Sequence, residues 1–341
     1  MKTVILDEPG RFQLVDTPLP VAPGLGQALV RVRRVGICGT DFHAFKGDQP
    51  FFSYPRILGH ELGVEVMSLG SGESGLKPGA LCAVEPYLNC GACIACRRGR
   101  TNCCVELKCL GVHTDGGMRE QIVLPAAKLH PSPILTLEQL ALVETLGIGA
   151  HAVERASLQS GEFALVIGAG PIGLAVIQFA QLAGARVIVL DVNEGRLEFC
   201  RRLFGVEWSI LADRDVVARL KEITSNDMPT AVFDATGNRQ SMIRAFDLVA
   251  HSGRLILVGL MQGEVTFHNP DAHRRELTLL CSRNATAANF RWIISLMEDG
   301  QIDTTSWITH RSSLVSMIGE FPTWIDPRSG TIKAMVEVDG T

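Results

Sequence analysis

Phe163-Ala164-Leu165-Val166-Ile167-Gly168-Ala169-Gly170-Pro171-Ile172-Gly173 is the stretch on which the fold turns. Five unbroken apolar residues read as a strand covered on both faces, as in a parallel sheet. The G-x-G-x-x-G that follows closes that strand and opens a helix, the context in which the motif gains meaning. Gly168 permits the tight turn, Gly170 lets backbone approach a pyrophosphate, and Gly173 allows close helix–strand packing. Pro171 suits the first helical turn, and Ile172 fills the last variable position. The helix N-terminus offers free N–H groups and a positive dipole to phosphates. A second apolar run, Arg186-Val187-Ile188-Val189-Leu190, leads to Asp191, placed about twenty residues on, where an acid binds the ribose hydroxyls. A carboxylate there repels a 2′-phosphate, so NAD is expected rather than NADP. Arg196 joins the cofactor set and is the residue that pulls the other way.

Outward from this stretch, helical and strand segments alternate. They run Glu194 to Leu203, Trp208 to Leu211, Val216 to Thr224, Ala231 to Asp234, Gln240 to Val249 and Arg254 to Val258. Such alternation predicts a doubly wound parallel sheet. Upstream the texture differs. Ala28 to Arg33 alternates apolar with basic residues, as a half-buried strand does, and Gly- and Pro-rich turns separate further short strands at Val64 to Leu69 and Ala80 to Val84. The chain closes with a helix around Phe290–Glu298 and a last strand from Ile332 to Val338. Its 341 residues suit two domains. A net charge of −4 gives no footprint for nucleic acid or an anionic membrane, and no apolar run is long enough to span a bilayer. The N-terminal residues lack a signal peptide's apolar core, so a cytoplasmic location is expected.

In a reducing compartment clustered cysteines are better read as metal ligands than as disulfides. Cys90, Cys93, Cys96 and Cys104 form C-x2-C-x2-C-x7-C, a spacing that suits one tetrahedral zinc ion. The bacterial iron–sulfur run closes its last gap with three residues and follows with Pro, and this chain does neither. Cys103 stands beside Cys104, and spacing alone leaves both open as the fourth ligand.

A second donor set is scattered. Gly36-Ile37-Cys38-Gly39-Thr40-Asp41-Phe42-His43 packs a thiol, a hydroxyl and an imidazole into one turn. Gly59-His60-Glu61 and Glu144 follow later. A catalytic zinc needs few protein ligands and one open position, which Cys38, His60 and one carboxylate supply. Zinc there would lower the pKa of an alcohol. Thr40 and His43 suit the passage of the released proton toward solvent.

With these motifs the chain resembles the zinc-dependent medium-chain dehydrogenases, most closely the polyol (sorbitol-like) and sugar-acid dehydrogenase branch, over essentially its whole length. The resemblance implies an α/β-plus-β fold: a GroES-like catalytic domain with an inserted Rossmann domain. The boundaries implied are 1–149 for the first, with a structural-zinc lobe at about 86–106, then 150–284 for the second and 285–341 returning to the first. It implies two zinc ions per chain and NAD. Cys38 and His60 become catalytic zinc ligands, with the carboxylate shared between Glu61 and Glu144, and Thr40 and His43 become the proton relay. Cys104 is favoured over Cys103 in the structural site. Polyol dehydrogenases often carry Glu-Pro where this chain has Glu144-Thr145, which leaves the course of that turn open.

The resemblance further implies a homodimer or homotetramer and a small-molecule substrate, a secondary alcohol of a polyol or a sugar acid such as a hexonate. Arg283 and Asn284 lie where the polyol branch contacts substrate hydroxyls; an Arg there suits hydroxyls or a carboxylate. A simple alcohol or L-threonine-type dehydrogenase is the alternative within the superfamily. A non-catalytic binding relative is the alternative outside it, and would be expected to lack part of the Cys38, His60, Thr40 and His43 set.

Overall fold

The structure is a computed structural model and describes residues 1–72, 74–213 and 215–338. The chain divides into two compact units, Met1–Glu144 together with the chain from Thr286 onward, and Thr145–Ala285.

The Thr145–Ala285 unit carries a six-stranded, all-parallel sheet. Its spatial order is Trp208–Leu211, Arg186–Asp191, Phe163–Ile167, Ala231–Asp234, Arg254–Leu257 and Thr278–Cys281. Parallel neighbours require crossover connections, and helices such as Pro171–Leu182 and Glu194–Phe204 provide them. The strand order reverses beside Phe163–Ile167, so the glycine turn sits at the point where doubly wound sheets bind ligands. Leu165, Ile167, Ile188, Leu190 and Val232 fill one buried core. The sequence reading missed the edge strand Thr278–Cys281, three of whose four residues are exposed, so that it lacks the buried-strand signature. The helix expected over Gln240–Val249 ends at Ala245 and tightens into a 3₁₀ turn over Phe246–Leu248.

The other unit is built on a seven-stranded sheet. Gln27–Gly36 lies at its centre, antiparallel to Glu61–Leu69 on one side and to the terminal Lys333–Glu337 on the other. Ala28, Val30 and Val32 are buried while Arg31 and Arg33 stay partly exposed, the alternation of a half-buried strand. The strand needs partners from both ends of the sequence, so the unit is discontinuous. The division near residue 150 falls at Thr145 instead. It lies inside one continuous helix, Leu137–Ala156, which leaves no break for a sequence reading to find.

The cysteine lobe leaves this unit through a narrow neck, Tyr87–Leu88 paired with Lys108–Cys109. Between residues 90 and 107 only Asn102, Cys104 and Leu107 are buried. That is too little apolar surface to hold the lobe by packing alone.

Candidate active site

Cys38 ends the central strand's path and begins the helix Gly39–Lys46. Its backbone N–H donates to Asp41 Oδ2 at 2.9 Å, the reciprocal half of a capping box that fixes the turn. The other oxygen of that fully buried carboxylate, Oδ1, faces His60 Nδ1 at 3.8 Å. Asp41 thus ties the thiol's backbone to the imidazole. The sequence reading passed over it as a spacer within the motif.

One ligand atom each from Cys38, His60 and Glu61 lies within 4.8 Å of the others. Glu144 lies outside that group. It is 5% exposed and accepts a hydrogen bond from Tyr87 Oη. Glu61 is held by Lys333, whose Nζ donates to Oε1 at 2.7 Å and Oε2 at 2.8 Å, with a third bond to the Ile37 carbonyl at 3.1 Å. Both partners of this ion pair are buried. Gly36 makes room for it: a Cβ there would stand 2.1 Å from Glu61 Oε2. Lys333 and Tyr87 are two further residues that the sequence reading missed. The one available signal was a lysine inside the otherwise apolar Ile332-Lys333-Ala334-Met335-Val336.

The site gathers more acidic groups than basic ones. Cys38, Asp41, Glu61 and Glu144 surround one lysine and one histidine. Burial opposes a charge on His60, yet Asp41, Cys38 and Glu144 outweigh it and hold the imidazole well above its ordinary 6.5. Burial raises both Asp41 and Glu144 above the usual carboxylate range. His60 Nδ1 and Asp41 Oδ1 are buried without a hydrogen-bond partner. Clustered buried acids and a mixed S, N and O donor set fit a divalent metal with an open position.

Thr40 and His43 stand three residues apart, on one face of the Gly39–Lys46 helix. Thr40 is half-buried and His43 exposed, with its Nδ1 meeting Asp48 Oδ1 at 2.8 Å.

In the lobe, ligand atoms of Cys90, Cys93, Cys96 and Cys104 also lie within 4.8 Å of one another. Cys103 is exposed and stands outside the group. Cys104 Sγ and Cys90 Sγ are 3.5 Å apart, far beyond a disulfide bond of about 2.05 Å. Backbone amides converge on the sulfurs, with Cys90 N 3.2 Å from Cys104 Sγ and Cys93 N 3.4 Å from Cys90 Sγ. The Cys96 amide leads in pulling Cys93 down to about 6, and the Cys90 amide leads in lowering Cys104. Burial and the neighbouring Cys93 push Cys96 up to about 11. Thiolate-stabilising amides around four converging sulfurs fit a closed tetrahedral ion.

In the second unit the helix Pro171–Leu182 is capped by Gly170 with Pro171 at its first turn. Asp191 Oδ2 accepts from Ala169 N at 2.6 Å, and Oδ1 accepts from Asn193 N at 2.8 Å. The acid is thereby locked against the glycine turn. Arg196 Nη1 lies 3.7 Å from where a Cβ on Gly170 would stand, so its guanidinium reaches the same turn. Gly173 is obligatory, because a Cβ there would come within 1.7 Å of the Gly168 carbonyl oxygen. Arg283 is exposed and Asn284 half-buried with φ 53°, just past the edge strand Thr278–Cys281.

Comparison with known proteins matches residues 24–134 to the alcohol dehydrogenase GroES-like domain family and residues 171–299 to the zinc-binding dehydrogenase family. L-galactonate-5-dehydrogenase of Escherichia coli strain K12 is 40% identical over 311 residues, 91% of each chain.

The chain belongs to the zinc-binding dehydrogenases.

This zinc-binding dehydrogenase is an oxidoreductase of the alcohol dehydrogenase superfamily, with a GroES-like domain and a Rossmann-type parallel sheet, and it acts on a small-molecule substrate. Two solved structures extend the likeness. The alcohol dehydrogenase RspB of E. coli CFT073, complexed with NADH, aligns with a TM-score of 0.91 at 27% identity over 99% of each chain. A zinc-binding dehydrogenase of Sinorhizobium meliloti, bound to NADP, aligns with a TM-score of 0.90 at 28% identity over 98% of each chain. No helix among the described residues is long and apolar enough to cross a membrane.

Proposed function

We propose that this dehydrogenase oxidises a secondary alcohol of a sugar acid or polyol, with zinc and NAD. The observation that carries the reading is the group Cys38, His60 and Glu61, set among more buried acidic groups than basic ones. The sugar-acid preference is supported by the 40% identity to L-galactonate-5-dehydrogenase. When bound, zinc supplies Lewis acidity toward the hydroxyl, and NAD supplies the hydride acceptor.

The chain's own residues do the rest. Cys38, His60 and one carboxylate hold the metal. Glu61 stands within reach of Cys38 and His60, and Glu144, whose partner is the neutral phenol of Tyr87, is the alternative third donor. Asp41 orients the imidazole. Thr40 takes up the hydroxyl proton as its own hydroxyl proton passes to His43 and outward, with Asp48 holding the His43 ring at the surface. In the second unit, the Gly168–Gly173 turn and the helix behind it bind the pyrophosphate. Asp191 takes the ribose hydroxyls and excludes a 2′-phosphate, which favours NAD over NADP. Arg196 neutralises phosphate charge beside Gly170. Arg283 and Asn284 contact substrate hydroxyls or carboxylate. The four-cysteine lobe holds a second, structural zinc. The enzyme works in the cytoplasm, where its ten free cysteines stay reduced, and as a homodimer or homotetramer.

A steady-state panel tests the reading. Hexonates, polyols, L-threonine and short alcohols are each offered with NAD and with NADP. Highest kcat/KM on a hexonate or polyol with NAD is expected. Preference for threonine or a short alcohol would overturn the substrate class, and preference for NADP would overturn the role of Asp191.

A further inference from the structure

The segment that links the body of the catalytic unit to the cysteine lobe is pinned at every second residue. Glu85 is 1% exposed and accepts a bond from Lys128 Nζ, while His130 Nε2 lies 3.2 Å from its other oxygen. Tyr87 donates to Glu144. Asn89 Oδ1 accepts from the same Lys128 Nζ at 2.9 Å, and Asn89 Nδ2 lies 3.7 Å from Cys96 Sγ. Glu85 and Asn89 share the Lys128 ammonium, and Tyr87 between them is tied to Glu144, so the segment carries three anchors. The foundation of this arrangement is rigid. Glu85 N donates to the Lys128 carbonyl at 2.8 Å, and His130 stacks on Phe290 with ring centroids 5.1 Å apart.

Beyond Asn89 the lobe has almost no apolar core, and its neck is a ladder of two residues on each side. Cys96 therefore lacks packing that would hold its sulfur in register with the other three. Asn89 reaches it from the neck. An amide has one acceptor and one donor end, and here each has its own partner: the oxygen takes the lysine, which fixes which way the N–H points.

We infer that Lys128 and Asn89 are positioning residues for the cysteine lobe: Lys128, braced by Glu85, locks the Asn89 amide so that its N–H is delivered to Cys96 Sγ. The inference rests on reading the lobe as a zinc site. Partners one bond removed from a metal ligand are worth on the order of 10–100-fold in metal affinity. Lys128 acts two bonds away, through an amide that it orients.

Zinc release to a chromogenic chelator tests this in the full chain. A Cys38→Ser background leaves the lobe as the intended source of metal. Asn89→Asp keeps the acceptor for Lys128 but puts an oxygen where the donor faced sulfur, and it leaves the Glu85–Lys128 pair intact. Lys128→Met frees the amide, and Lys128→Arg restores a cation to orient it. Asn89→Asp should release zinc roughly 10–100-fold faster than the parent, and Lys128→Met faster than the parent by a smaller factor, with Lys128→Arg recovering much of the difference. The thermal midpoint of metal-free Asn89→Asp should match that of the metal-free parent. Parent-like release from folded Asn89→Asp overturns the inference, whatever becomes of Lys128→Met. A parent that holds no zinc in the lobe, with stoichiometry unchanged by Cys90→Ser, overturns the reading of the lobe and the inference with it.

Discussion

Single residues here carry distinct and separable loads. Cys38→Ala should abolish turnover while leaving dinucleotide binding intact, as read by NADH fluorescence; turnover that survives removes the thiol from the chemistry. Lys333 bears on stability as well. Deleting one member of a buried ion pair leaves an uncompensated charge and costs about 3–5 kcal/mol. Lys333→Met should lose stability on that scale in urea unfolding, and Lys333→Met combined with Glu61→Gln should regain most of it. Equal losses in the single and double variants would mean that the pair is not coupled. Glu85 gives a pH signature. Burial tends to raise its pKa, but bonds from His130 and Lys128 win and hold it below its ordinary 4.5. A depressed acid contributes stability that is complete above 4.5 and is lost as pH falls through its lowered folded value. Glu85→Gln should therefore flatten the acid limb of stability against pH below about 4.5, and parallel limbs in both proteins would refute the assignment. That Cys38 and His60 would come together was legible in sequence, because metal chemistry restricts which side chains can serve and the structure brings the two within reach of each other. Asp41, Tyr87 and Lys333 were not, since any of many polar residues does such work and only the fold says which one is near.

Among the elements, the glycine turn and the cysteine lobe were the most legible, because each compresses its function into consecutive residues. The turn's geometry leaves no slack at Gly173, where an added methyl meets a carbonyl oxygen at 1.7 Å. Gly173→Ala should push the helix start off the strand and lose most NAD affinity by titration calorimetry. Gly319→Ala has open space around it and should bind NAD normally. Comparable NAD affinity in the two variants would mean that close approach at this turn is not needed. The edge strand Thr278–Cys281 was illegible for the opposite reason. Four residues with mixed exposure satisfy neither the buried-strand nor the alternating pattern, and only its ladder to Arg254–Leu257 makes it a strand. The helix Leu137–Ala156 hid a boundary by being regular.

At the scale of the whole molecule, two unlike metal sites predict a stoichiometry. Metal analysis of protein purified with zinc should find two ions per chain, and a dialysis-resistant maximum of one would overturn the pair. The edge strand Thr278–Cys281 has a partner strand on one side only among the described residues and carries Leu279, 44% exposed, the kind of edge that proteins cover or pair. Light scattering should give a dimer or tetramer, and Leu279→Lys should shift the mass toward the monomer. A wild-type monomer would refute self-association, and an unmoved oligomer would place the interface elsewhere. The alternating pattern of the second unit made its architecture readable because its neighbours in space are near neighbours in sequence. The first unit hides its plan by pairing Gly36 with Met335 and Glu61 with Lys333. Translation gives that separation a duration. The ribosome makes roughly 5–20 residues per second, so the separation of 272 positions from Glu61 to Lys333 takes on the order of tens of seconds. The Thr145–Ala285 unit has its whole sheet in hand before the final strand emerges. Throughout that wait the nascent chain carries an acid bound for burial with no ammonium to meet it, so the Glu61–Lys333 pair closes only after nearly all of the chain has been made.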